Sequence, residues 1–380
     1  QSCLEVMISA GGQHILLLRL DHRVVACGDN SWNQCDIPAL DVGVRYTQVA
    51  AGFAHSVLLR SDGDVVACGE NQSNQCYVPP LDVGVDYIQV AAGYSHTIYL
   101  RSDGRAVAFG RNCWGQCRIP RLTPNVTYTE VAAGACHSVL LRSDGVAVAR
   151  GWNKVKECDI PPLEEGLKYI QISAGSWHTV LLRNDGTAVA CGDNCDGQCD
   201  IPPLEKGLSY AQVSAGRDHT VLLRSDGTAV AFGLNDDGQC NLPPLEKGVS
   251  YTQVSAGRYR TVLLRCDGRV VACGKNSSIP PDFNALVKDR VLQADFIYED
   301  NDEILVRCFG LDGVEVLQLR ANGSDLARQT SKDLALQLNK DMQEPRVILP
   351  DGELLDAVCR ANPNATLVTV SLKHGKAGGA

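Results

Sequence analysis

The stretch AGRDHTVLLRSDGTAVAFG, residues 215–233, decides the fold. A histidine followed by an apolar run and an Asp-Gly pair invites, taken alone, a general-base reading of His219. The rest of the chain answers by repetition. AGFAHSVLLRSDGDVVACG (51–69), AGYSHTIYLRSDGRAVAFG (92–110), AGACHSVLLRSDGVAVARG (133–151) and AGSWHTVLLRNDGTAVACG (174–192) are near copies. The histidines fall at His14, His55, His96, His137, His178 and His219, each 41 residues after the last, and Arg260 takes the seventh place. A motif present once per repeat belongs to the scaffold before it belongs to any single active centre.

Local chemistry then fixes the unit. Thr220–Leu223 is apolar at consecutive positions, as expected of a strand covered on both faces. Ser225-Asp226-Gly227 supplies hairpin-turn chemistry. Ala229–Phe232 is the returning strand, and Tyr210–Ser214 precedes the Ala-Gly turn as a further one. The Ile-Pro-Pro-Leu segment is a wall or loop, because proline cannot donate inside a central ladder. Three or four short strands per 41 residues match one blade of a propeller. Strand-like runs without a 3.6-residue pattern exclude a helical solenoid. The sequence therefore predicts an all-β seven-bladed β-propeller over residues 1–285.

The repeated segments AGRDHTVLLRSDGTAVAFGLNDDGQC and AGSWHTVLLRNDGTAVACGDNCDGQC resemble repeats of the regulator of chromosome condensation family, over roughly residues 4–281. The units are similar in length to the compact bacterial and protist versions, beta-lactamase inhibitory propellers among them, more than to the longer eukaryotic exchange-factor repeats. The seventh unit departs: Arg260 replaces His, and residues 274–281 lack the Gln-Cys element. Residues 4–9 and 290–297 are the candidates for a strand that closes the ring.

After Pro281 the period ends, and Tyr298–Glu303 reads as an acidic hinge behind a closing strand within 286–303. Residues 304–372 then predict two strands around Leu311-Asp312-Gly313, a helix with Leu326, Thr330, Leu334 and Leu338 on one side, and the strands Arg346–Leu349 and Thr366–Leu372. This β-β-α-β-β order resembles ubiquitin, an α+β β-grasp domain, and the resemblance places Ile348 and Val370 at two positions of the apolar patch that partners read. Residues 373–380 read as a flexible tail, with Gly378-Gly379 reminiscent of a conjugation tail.

Composition narrows the function. The net charge of −9 argues against a generic nucleic-acid binder. The longest aliphatic run, Ile15–Leu18, is far short of the ~20 apolar residues of a membrane-spanning helix. Nucleic acid and membrane are therefore not expected as partners, and a monomer is. Seventeen cysteines and no basic-then-apolar leader in the sequence as given suggest a reducing compartment, cytoplasmic or nuclear. Phe109 and Phe232 occupy the repeat position of Cys27, Cys68, Cys191 and Cys273, so that position asks for apolar volume. Cys113 with Cys117 and Cys195 with Cys199 have Cys-x3-Cys spacing without a second ligand pair, so neither metal nor other cofactor is expected.

Six equivalent histidines with no recurring nucleophile beside them read as bracing, bonded to backbone between neighbouring turns. The Arg and Asp of Leu-Arg-x-Asp read as turn bracing too. Binding belongs where the repeats differ. The Ala-Gly-x-x turn and the Gly-x-Asn-x-x-x-Gln loop emerge on one face, and there the sequence points to Trp32, Phe53, Tyr94, Trp114, Trp177, Arg217, Asp218, Arg258 and Tyr259 as partner-binding residues; aromatics packed over the propeller mouth are the alternative. A non-enzymatic interaction protein follows. The resemblance implies a link to the ubiquitin system, since propellers of this family also occur in large ubiquitin ligases. It equally implies a guanine-nucleotide exchange factor for a small GTPase, although the even spacing leaves no room for an acidic, wedge-like insertion.

Overall fold

The computed structural model describes residues 6–19, 22–277 and 279, together with the backbone of five later strands. Within the propeller each repeat folds into its own three-stranded antiparallel sheet, with inner, middle and outer strands in chain order. In the sixth blade these are Tyr210–Ala215, His219–Arg224 and Ala229–Gly233. Gly227 turns the last hairpin at φ 79°, a left-handed conformation that glycine adopts without strain. Asp226 accepts the Thr228 amide there at 2.9 Å.

The unbroken apolar run of the middle strand is explained by its two neighbours. Leu222 packs with Val180 and Leu182 of the fifth blade, whereas Val221 and Leu223 pack with Tyr251 and Val254 of the seventh. Successive side chains point to opposite faces, so both alternating sets are buried. The Pro-Pro-Leu segment leaves the ladder, as expected, and packs along the blade: Tyr210 donates its hydroxyl proton to the Pro202 carbonyl at 2.7 Å.

Blades are joined by polar links that repeat around the axis. In the Ala-Gly-x-x turns the amide after each glycine donates to the glycine carbonyl of the next blade. The links run Gly12 to Gly52, Phe53 to Gly93, Tyr94 to Gly134, Ala135 to Gly175, Ser176 to Gly216, Arg217 to Gly257 and Arg258 to Gly11, at 3.0–3.3 Å. The last of these closes the circle. A Cβ on Gly216 would stand 2.4 Å from the His219 ring and 2.5 Å from the Gly257 carbonyl, so this close approach requires glycine.

Closure needs no exchanged strand. Met7–Ala10 is the inner strand of the first blade, paired with His14–Leu18. The seventh blade is complete in Tyr251–Ala256, Arg260–Arg265 and Val270–Gly274. The two meet as other blades do: Gln253 Oε1 accepts the Ile8 amide at 2.8 Å, and Ser255 Oγ accepts that of Ala10 at 2.9 Å. The other expected closing segment lies elsewhere, because Leu292–Tyr298 pairs with Glu303–Phe309 and Thr366–Lys373. The physical reason is that a blade built whole from consecutive residues leaves no vacant ladder to fill.

The second unit, described by itself, is a five-stranded mixed sheet. Its order is Glu315–Asn322, Glu303–Phe309, Leu292–Tyr298, Thr366–Lys373, Pro345–Ile348. The strands expected at Arg346–Leu349 and Thr366–Leu372 are present and parallel. The turn at 311–313, the helix around Leu326–Leu338, the Gly378-Gly379 tail and the side chains of Ile348 and Val370 lie outside the described residues.

Candidate functional site

The six histidines are fully buried, and their partner is a side chain where backbone was expected. Each Nε2 lies 2.9–3.0 Å from a hydroxyl on the next blade: His14 on Ser56, His55 on Thr97, His96 on Ser138, His137 on Thr179, His178 on Thr220 and His219 on Thr261. Each hydroxyl in turn gives its one proton to a backbone carbonyl, as Thr220 does to Gln198 at 2.7 Å. Nε2 must therefore be the donor, which fixes the tautomer and leaves Nδ1 buried without a partner. Burial drives these rings well below the ordinary imidazole range, His55 to about 3 and His178 to about 4. They are neutral joints of the ring.

Both loops of a blade rise on the face marked by the histidines, since His55 stands opposite Gly69 in the sheet register. The repeated Asn and Gln fold the second loop: Asn112 Oδ1 accepts the Cys117 amide and Gln116 Oε1 that of Trp114, both at 3.0 Å. The two loops are tied together, the Asp193 amide reaching the Trp177 carbonyl at 2.8 Å. Cys117 and Cys199 turn their thiols to carbonyls of their own loops, and burial pushes the Cys199 thiol up to about 12. On the opposite face Arg60 grips Asp62 through Nε and Nη2 at 3.1 and 2.6 Å, the turn bracing expected of Leu-Arg-x-Asp.

On this rigid frame the variable side chains gather into two clusters. The first joins Phe53 and Tyr94, stacked at 3.9 Å, to the seventh blade. The Arg258 guanidinium lies 4.8 Å from the Phe53 ring and 4.7 Å from that of Tyr259. Arg217 bonds the Tyr259 hydroxyl at 2.7 Å and the Asp218 carboxylate at 2.9 Å. Gly12 makes this reach possible, because a Cβ there would stand 2.6 Å from the Phe53 ring.

The second cluster contains a residue the sequence reading passed over. Trp152 sits edge-on between Trp114, at 4.2 Å, and Trp177, at 6.3 Å, with Lys154 Nζ 5.1 Å over its ring. Its signal was present, since Trp152 follows Gly151 where the other repeats carry Asp, Glu, Arg, Leu or Lys. Trp32 is 46% exposed and makes no aromatic contact among the described residues. The expected binding residues thus form two groups with Trp32 outside both. Phe53, Trp177 and Tyr259 are half-buried, a burial that fits both partner contact and packing over the mouth.

The fourth blade departs from the repeat in two further places. Glu130 takes the position of the inner-strand glutamine and accepts the Ile172 amide at 3.2 Å; burial pushes its carboxyl up to about 8. Glu157 takes the place of the loop glutamine, fully buried, and burial raises it as well. Between the clusters the axial mouth opens as a pocket of about 200 Å³, floored by the Ala-Gly turns and rimmed by Phe53, Tyr94, Trp177, Arg217 and Arg258.

Comparison with known proteins agrees with this architecture. The model of the regulator of chromosome condensation (RCC1) repeat matches residues 46–75, 87–116, 169–198, 210–239 and 251–278, five of the seven blades. No curated protein matches the sequence. Among solved structures, Prp20p from Saccharomyces cerevisiae, reported with its binding to Gsp1p and histones, superposes with a TM-score of 0.58 at 18% identity over 73% of this chain and 84% of its own. The CRINKLY ectodomain of the Arabidopsis thaliana receptor kinase ACR4 gives 0.57 at 21%, over 72% and 97%. Human WBSCR16 gives 0.57 at 18%, over 70% and 88%. At these identities the likeness is one of fold. Seven sheets in a closed ring make this part of the chain a seven-bladed β-propeller, and five of its blades are similar to the RCC1 repeat.

Proposed function

We propose that the chain is a non-enzymatic protein-binding propeller that docks its partner on the loop face around the axial mouth. One observation carries this reading. The repeats are near-identical in frame, and the side chains in which they differ collect on one face as two aromatic and cationic clusters. Trp, Tyr and Arg on a rigid base are the residues that dominate binding energy in protein interfaces. Affinity capture with the parent chain and with Trp152→Ala and Trp177→Ala tests it. Partners held by the parent and lost by the variants support the loop face; undiminished capture overturns it.

A second reading is guanine-nucleotide exchange on a small GTPase, the activity the family resemblance implies, and the fold likeness to Prp20p speaks for it. The uniform 41-residue interval leaves no inserted element to disturb a nucleotide site. Nucleotide release over a panel of GTPases discriminates: acceleration well above background replaces the first reading. A link to the ubiquitin system is a further proposal, resting only on the resemblance of the residue 304–372 sequence to ubiquitin. Binding of the full chain to ubiquitin-system components, and its loss with Ile348→Ala, tests that part.

A further inference from the structure

We propose that the axial mouth is a receptor for one acidic side chain of a partner protein, with Arg258 as the group that binds its carboxylate. The inference rests on the loop-face reading above and names the chemistry of the partner.

Charge and bonding point to an anion. Two guanidinium groups face one tyrosine, Arg258 at 4.7 Å and Arg217 at 5.3 Å from the Tyr259 ring, and Lys275 Nζ stands 5.4 Å from the same ring. Among the described residues the one carboxylate ion-paired here is that of Asp218, which Arg217 takes at 2.9 Å, with Asp193 and Asp196 within electrostatic range of it. Among the described residues the Arg258 guanidinium has aromatic neighbours and no hydrogen-bonded or ion-paired partner. Stacking between Phe53 and Tyr259 holds it half-buried at the pocket rim with its N–H donors uncommitted, an arrangement suited to a carboxylate's two oxygens.

The floor argues for a carboxylate over a phosphate. Phosphate cradles present free backbone amides. Here the seven amides that follow the glycines are all spent on the ring of carbonyls, and the glycine amides themselves donate to the His or Arg260 carbonyls. The volume points the same way: about 200 Å³ lies below the range of roughly 300–1,000 Å³ typical of small-molecule pockets. It suits a single side chain entering from above, with apolar contact to Phe53 and Trp177.

The test is a titration of the full chain with acetyl-tetraglutamate amide, acetyl-tetraglutamine amide and inorganic phosphate, followed by side-chain NMR or calorimetry. The glutamate peptide is expected to bind at least tenfold more tightly than the glutamine peptide, and to weaken as salt rises. Arg258→Gln is expected to abolish that preference, and Arg258→Lys, which keeps the charge without the planar fork, to reduce it. The lysine variant also decides the matter if the glutamine variant does not fold. Equal binding of the two peptides, an unchanged preference in both variants, or phosphate binding as tightly as the glutamate peptide overturns the proposal. The titration needs no natural partner. If it fails while Trp152→Ala and Trp177→Ala still lose captured partners, the loop face stands and the mouth receptor falls.

Discussion

His178 of the fifth blade places its Nε2 2.9 Å from the hydroxyl of Thr220 in the sixth, and Thr220 passes its own proton to the Gln198 carbonyl at 2.7 Å. Removing the imidazole by His178→Ala leaves the hydroxyl one bond short and opens space between blades. The expected cost is about 1–3 kcal/mol in urea unfolding. Arg260→Ala should cost less, because the Arg260 Nε is buried without a partner and removing a poorly compensated charge offsets lost packing. Equal and negligible costs at both sites would show that the joints carry no stability.

Acid should dismantle the ring in a steep transition. The folded histidines titrate near 3 to 4, whereas unfolded imidazoles titrate at about 6.5. Their folded values are depressed, so the stabilisation is complete above pH 6.5 and is lost as pH falls toward 3–4. Each histidine contributes a slope of up to about 1.4 kcal/mol per pH unit in that window. Unfolding at pH 5 should take up several protons, measurable from the pH dependence of the urea midpoint. Uptake of one proton or fewer would mean that the rings are charged in the folded chain.

Glu130 predicts the opposite slope. Burial raises its folded carboxyl to about 8 from the ordinary 4.5, so the folded chain keeps a proton that the unfolded chain releases. Stability from this group is present below pH 4.5 and is lost as pH rises through 8, by up to about 1.4 kcal/mol per unit. Glu130→Gln retains an acceptor for the Ile172 amide, as Gln171 does for Val213 at 2.9 Å. The variant should match the parent near pH 4.5 and exceed it above pH 7. A constant difference between the two across that range would contradict the buried neutral carboxyl.

The seventh joint shows what repetition makes legible and what it hides. Strand boundaries, the shared loop face and the bracing role of the histidines could be read because each column recurs with one residue type. The histidine's hydroxyl partner was just as visible in principle: Ser56, Thr97, Ser138, Thr179, Thr220 and Thr261 form a column 42 residues after the histidines. At the junction where Arg260 replaces histidine, the corresponding column residue is Ile15, so both halves of the link depart together. Of the two candidate closing segments, 4–9 overlaps the strand Met7–Ala10 that meets the seventh blade, whereas 290–297 was suggested only by the missing motif residues of the seventh unit and pairs elsewhere. Trp152 and the two clusters were hidden for another reason. Contacts such as Trp152 with Trp177, or Arg258 with Phe53, join different blades, and their closeness follows from the radius of the ring.

That paired departure can be reversed. Arg260→His alone leaves a ring nitrogen facing Ile15, and Ile15→Thr alone puts a hydroxyl against the arginine. Together they rebuild a histidine–hydroxyl pair like the other six. A double-mutant cycle should show a favourable coupling of about 0.5–1.5 kcal/mol. Additive effects would show that the seventh junction has settled into a geometry the pair cannot adopt.

The loop face gives the last prediction. Trp177→Ala and Tyr259→Ala should each weaken partner binding by about 2 kcal/mol or more, but for different reasons. Trp177 offers its ring as contact surface beside Trp152, on a turn held by the Asp193 amide bond and by the Ser176 amide to the Gly216 carbonyl. Truncation there removes area and leaves the backbone in place, so the melting temperature should barely move. Tyr259 instead supports two guanidinium groups, with a hydrogen bond to Arg217 and a face under Arg258. Tyr259→Phe separates these contributions, because it keeps the stacking surface and deletes the hydroxyl; it should retain most of the affinity if Arg258 is the group that matters. Lys206→Ala, exposed on the opposite face, should be silent. Early unfolding of the Trp177 and Tyr259 variants, with normal binding by the folded fraction, would make these side chains packing of the mouth and move the docking face to the Pro-Leu loops.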